Sequence, residues 1–94
     1  MRGKCRVYVK DSTLVGKIKD CSLHIGDLEV ELRELVKIRN LGGDRRCADL
    51  KKGTVLEYRT EEAKGFLDIE IEGAKGVKRI DPSEIKGLES LKKG

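Results

Sequence analysis

Apolar and polar residues alternate with a period of two along most of this chain, a pattern that half-buried β-strands satisfy and helices do not. Cys5, Val7 and Val9 alternate with Arg6, Tyr8 and Lys10. A turn at Asp11-Ser12 leads into Leu14-Val15-Gly16-Lys17-Ile18, the return strand of a hairpin. Leu23-His24-Ile25 and Leu28-Glu29-Val30-Glu31-Leu32 flank Gly26-Asp27, a dipeptide suited to a tight turn. Val36-Lys37-Ile38 then runs to the loop Gly42-Gly43-Asp44. Beyond it, Cys47-Ala48-Asp49-Leu50 and Val55-Leu56-Glu57-Tyr58 bracket Lys51-Lys52-Gly53-Thr54 as a second hairpin. Phe66-Leu67-Asp68-Ile69-Glu70-Ile71 and the short segment 77–80 are further strands. Pro82 after Asp81 predicts one helical turn, because proline suits a first turn and no later position.

Residues 27–40 admit two readings. Asp27 could cap a helix with Leu28, Leu32, Leu35 and Ile38 on one face. Strand, turn and strand is the reading we favour, because of an internal echo. Val9-Lys10-Asp11-Ser12-Thr13-Leu14-Val15 aligns with Leu50-Lys51-Lys52-Gly53-Thr54-Val55-Leu56, and Val30-Glu31-Leu32-Arg33-Glu34-Leu35 with Ile80-Asp81-Pro82-Ser83-Glu84-Ile85. Pro82 in the second copy rules out a helix interior common to both. The expected fold is all-β, a small barrel or sandwich of two similar β units with at most short helical turns. Residues 1–94 form one domain, with 90–94 expected as a frayed tail.

A chain this short buries a thin core, and here only Tyr8, Tyr58 and Phe66 are aromatic. A deep catalytic cleft is hard to build on it. His24 is the lone histidine, the serines have no histidine beside them, and the acids sit on alternating, solvated strand positions. Cys5, Cys21 and Cys47 are odd in number and lack the Cys-x-x-Cys spacing of a zinc or redox site. They read as reduced, semi-buried thiols, with a disulfide between two of them as the alternative open to a heat-adapted chain. The glycine clusters precede no helix ending in Gly-Lys-Ser/Thr, so they serve turns and not phosphate loops. The expectation is a non-enzyme with no catalytic residues, no cofactor, no metal and no small-molecule substrate.

No apolar run approaches a membrane span, and the start Met1-Arg2-Gly3-Lys4-Cys5 has no hydrophobic stretch behind it, so a cytoplasmic location is expected. Lysine and glutamate are abundant, glutamine is absent and Asn40 is the only asparagine, a balance typical of heat-adapted proteins. The 21 lysines and arginines exceed the 17 acids, giving a net charge of +4 that favours contact with a polyanion. The candidate contacts are Arg45, Arg46, Lys51, Lys52, Tyr58 and Lys75, with RNA or DNA as the partner. The alternative is a protein-interaction or assembly module, pairing with itself or a partner through strand edges at 5–10 or 66–71.

The stretch Leu50-Lys51-Lys52-Gly53-Thr54-Val55-Leu56, through Phe66-Leu67-Asp68-Ile69-Glu70-Ile71 to Ala74, resembles the first motif of Sm-like proteins. The family's Met-Asn pair is Leu67-Asp68 here, its mid-strand glycine falls at Tyr58, and its second motif, centred on Arg-Gly, has no counterpart before Val77 or Ile80. The resemblance implies a small, strongly bent β-barrel that assembles into rings and binds uridine-rich RNA in the pore.

Overall fold

The structure, a computed structural model, describes residues 3–91. The expected all-β architecture is what it contains: nine strands among the described residues, curled into one antiparallel half-barrel, with 3-10 turns as the only helical elements. The strands are β1 (Lys4–Val9), β2 (Thr13–Ile25), β3 (Leu28–Val30), β4 (Leu35–Gly42), β5 (Arg45–Leu50), β6 (Val55–Arg59), β7 (Ala63–Ile71), β8 (Lys78–Ile80) and β9 (Ile85–Ser90). They lie in the order β6-β5-β4-β9-β1-β2-β7-β8, and β3 pairs with β2 off that path. Residues 27–40 are strand, 3-10 turn (Leu32–Glu34) and strand. Pro82–Glu84 is the single helical turn expected there.

The internal echo is a structural repeat. Leu23 pairs with Val30 as Leu67 pairs with Ile80. Each short strand is followed by a 3-10 turn, at Leu32–Glu34 and Pro82–Glu84, and then by an inward-facing Leu35 or Ile85. The two units interlock. β1 of the first pairs with β9 of the second, and β5 of the second with β4 of the first. In these ladders Val7 faces Leu88 and, equivalently, Ala48 faces Ile38. Two residues pair with their own equivalents, Ser22 with Phe66 and Ile38 with Leu88. A pseudo-two-fold axis therefore passes through both pairs. Neither unit closes its own sheet, so the core of Val7, Leu23, Leu35, Ile38, Ala48, Leu67, Ile69, Ile80, Ile85 and Leu88 is assembled jointly.

β2 and β7 pair antiparallel through the axis, and two glycines permit their close approach. A Cβ on Gly65 would collide with the Ser22 carbonyl, and one on Gly16 with the Glu70 carbonyl. Gly65 also sits at φ 110°, where a side chain is strained. The alternation read as two strands across 13–25 is one continuous strand with a bulge between Ile18 and Asp20. At the far end, Ser90 still pairs with Cys5, and the Leu91 N–H donates to the Lys4 carbonyl at 2.8 Å. Residues 92–94 of the expected tail lie outside the described residues.

Candidate functional site

The six basic and aromatic positions singled out by the sequence divide into three groups. Arg46 and Tyr58 face each other across β5 and β6, and each is only 5% exposed. Arg46 Nε donates to the Ile85 carbonyl at 3.1 Å. Its Nη1 donates to Asn40 Oδ1 (2.9 Å) and to the carbonyls of Gly43 and Arg45 (both 2.8 Å). Tyr58 is enclosed enough that burial pushes its phenol up to about 12. Both belong to the inner face of the sheet, so neither is a surface contact for a polyanion. This corrects their assignment as binding residues.

Arg45 is exposed but already paired, its Nη2 lying 3.2 Å from Glu57 Oε1. Lys51 and Lys52 lie in the 3-10 turn between β5 and β6, and Lys75 lies in a different loop, between β7 and β8. All three are exposed and none has an ion-pair partner among the described residues. Every arginine among the described residues is engaged within the chain. Arg6 pairs with Glu89, Arg33 with Glu31, Arg39 with Asp49, Arg59 with Asp44 and Arg79 with Asp68. Arginine is the side chain best shaped to grip phosphate bidentately, and here those forks are occupied by carboxylates. The Arg39 and Arg79 guanidiniums hold the Asp49 and Asp68 carboxyls below the usual carboxylate range.

Groups with reactive chemistry are scattered. All three thiols are free, and Cys5 and Cys47 are buried. Burial, with the nearby Asp20 and Asp68, pushes the Cys21 thiol up to about 11, so it stays protonated at neutral pH. His24 lies on the outer face between Glu29 and Lys64. Among the described residues, no three His, Cys, Asp or Glu side chains converge on a point that could hold a metal. An open cleft of about 880 Å³ lies between Lys51, Glu29, Glu31 and Arg33 over Val30, Leu32 and Leu35. Its walls carry both charges and one ion pair, Arg33 with Glu31.

The most distinctive feature is the free edge of β6. The two strands named from the sequence as edges are internal: β1 is flanked by β2 and β9, and β7 by β2 and β8. The ends of the sheet are β6, β8 and β3, and β8 and β3 have three residues each. β6 has five, and β5 is its only strand partner among the described residues. The Leu50 N–H bonds to the Thr54 carbonyl (2.7 Å), and the Thr60 N–H to the Asp44 carbonyl (2.8 Å). These two bonds bracket the β5–β6 ladder and fix its alternation. Leu56 and Tyr58 turn their peptide groups toward β5, and Val55, Glu57 and Arg59 turn theirs outward. The Arg59 N–H is taken by Glu62 Oε1 at 2.7 Å. That leaves the N–H groups of Val55 and Glu57 and the carbonyls of Val55, Glu57 and Arg59 facing out, below an exposed Val55 side chain.

No family model, curated protein or solved structure matches this chain.

The exposed edge follows from where the two units differ. After Ile69 the chain runs on through Glu70 and Ile71, which pair with Lys17 and Gly16, and the Glu72 N–H bonds to the Val15 carbonyl at 2.9 Å. That extension covers the outer side of β2. After Ile25, the equivalent position in the first unit, the chain turns at once through Gly26-Asp27 into β3. Among the described residues, no second strand then pairs with β6, the equivalent of the covered part of β2. The sequence signal was present: a two-residue turn in one unit against a longer connection, 72–77, in the other.

Proposed function

We propose that this chain is a non-catalytic interaction module that receives an extended protein strand on the free edge of β6. The supporting observation is the outward ladder of Val55 and Glu57 N–H groups on a five-residue edge with no proline, no bulge and no lysine to blunt it. Unpaired strand edges invite such addition, and natural sheets usually guard them. Main-chain bonds would supply affinity, and the alternation of Val55, Glu57 and Arg59 would select the side chains of the incoming strand.

Val55→Pro tests this reading. The Val55 N–H points away from β5, and Thr54 at φ −73°, ψ 137° already has the extended backbone that a following proline requires. The variant should therefore fold as the wild type does. Used as bait, wild type should retain partners that Val55→Pro loses, with the Val55 and Glu57 amides protected from hydrogen exchange in the wild-type complex. Equal retention by both baits refutes the reading.

A second reading, contact with RNA or DNA, is supported by the unpaired Lys51, Lys52 and Lys75 and the net charge of +4. It no longer includes Arg46 or Tyr58. Affinity would be lost steeply with added salt, and reversing charge at Lys51 and Lys52 together should weaken binding at low salt. Unchanged binding counts against it.

A further inference from the structure

The β6 edge is self-complementary, and on that ground, resting on the edge reading above, we infer that its occupant is β6 of a second copy, paired antiparallel about a two-fold axis at Glu57. The free groups are unequal in number. Each copy offers two N–H donors, at Val55 and Glu57, because Glu62 holds the Arg59 N–H. It offers three carbonyls, at Val55, Glu57 and Arg59.

An antiparallel pair centred on Glu57 matches these groups. The Val55 N–H meets the Arg59 carbonyl of the second copy, and the Glu57 N–H meets the Glu57 carbonyl of the second copy. The symmetry repeats both bonds. Every free donor on both edges is then satisfied. The one donor this register leaves over, the Arg59 N–H, is the one already bonded to Glu62. Centring the pair on Tyr58 would leave both Val55 donors bare, and centring it on Leu56 would satisfy the same four donors but set Val55 opposite Glu57 and not under the Arg59 stem.

Charge permits the approach. The chain is positive overall, but its β6 rim is balanced: Arg45 against Glu57 and Arg59 against Asp44. Two such rims meet without net repulsion. Each Glu57 that comes to face its symmetry mate keeps its own arginine 3.2 Å away. Val55, 56% exposed in the single copy, is covered in the pair by the aliphatic stem of Arg59 of the second copy. The two half-barrels would then share one continuous sheet, β5-β6 of one copy running into β6-β5 of the other.

The experiment is sedimentation velocity on the whole chain from about 5 to 500 µM, with wild type, Val55→Pro and Glu57→Lys. Wild type should show a concentration-dependent monomer–dimer equilibrium. Val55→Pro removes two of the four inter-copy donors and should raise the dimer Kd at least about tenfold. Glu57→Lys puts two lysines among four arginines at the axis and should do the same. Unchanged circular dichroism and melting temperature in both variants keep the comparison one of association alone. A wild type that stays monomeric at 500 µM overturns the self-pairing, as does a dimer indifferent to both substitutions.

A second arm separates this failure from failure of the edge itself. A synthetic decapeptide of alternating valine and threonine is added to monomeric wild type, and amide exchange is followed. Protection of the Val55 and Glu57 amides keeps the edge as a strand receptor and overturns only the second copy as its occupant. No protection overturns both.

Discussion

Truncating Arg46 separates a structural arginine from a binding one. In Arg46→Ala the Ile85 carbonyl, deep in the sheet, loses its side-chain donor. An orphaned buried acceptor costs about 1–3 kcal/mol. Asn40 Oδ1 and the carbonyls of Gly43 and Arg45 are less enclosed and recover water, so they add little. Removing the arginine stem from a 5% exposed site opens a gap worth a further ~1 kcal/mol or more. The expected loss is about 3 kcal/mol, a large part of the roughly 5–14 kcal/mol available to a chain of this length. With a urea slope of about 1 kcal/mol per molar, the midpoint should fall by about 3 M. Arg46→Met keeps the stem's contacts and removes a buried charge, so its cost should shrink toward that of the orphaned carbonyl. Urea unfolding followed by far-ultraviolet circular dichroism measures both. A loss below ~1 kcal/mol for Arg46→Ala would refute the reasoning. So would a variant of unchanged stability that had lost binding to nucleic acid.

Two further outcomes follow from the close approach of β2 and β7 and from burial. Gly65→Ala combines backbone strain at φ 110° with a collision against the Ser22 carbonyl, whereas Gly73→Ala, at φ 83°, meets nothing within 4 Å. The first should cost about 3 kcal/mol or more and the second about 1 kcal/mol, so the melting temperature should fall about three times further for Gly65→Ala, by roughly 12 °C or more; equal shifts would count against the close approach of the two strands. Burial raises the Cys21 thiol from 9.0 to about 11 and the Tyr58 phenol from 10.0 to about 12, so the folded chain holds both protons more tightly than the unfolded chain. These two groups therefore leave stability unchanged below pH 9 and lower it as pH rises from 9 toward 12; a melting temperature that stays flat across that window would contradict the burial of both groups.

The alternation exposed most strands, but pairing across the whole chain is what locates an edge. β1 looks like an edge in sequence because its only local neighbour is the return strand β2. Its other neighbour is β9, from the far end of the chain. Within β2 the inward positions change parity at the bulge, from Gly16 and Ile18 to Cys21, Leu23 and Ile25, so one strand reads as two. The burial of Arg46 and Tyr58 is legible in the alternation. Arg46 shares parity with Ala48, and the echo that aligns Val9 with Leu50 also aligns buried Cys5 with Arg46. Residue type suggested the surface, and position in the alternation dictated the core. The Arg46 fork can be buried because Ile85, Asn40 and Gly43 present acceptors that only the folded sheet brings together.

The repeat explains both the fold's coherence and the opening at β6. Because β1 pairs with β9 and β5 with β4, each unit supplies the hairpin that completes the other. Such an arrangement buries strand edges in equivalent pairs for as long as the units remain equivalent. They cease to be so after Ile25 and Ile69. A connection long enough to carry Glu70 and Ile71 alongside β2 seals one flank. A two-residue turn cannot reach the equivalent flank, and β6 stays open. Glu62 narrows the opening by capping the Arg59 N–H. What remains is two donors, at Val55 and Glu57, beside three carbonyls centred on Glu57, and in the proposed pair these groups meet their own image without any change in the fold.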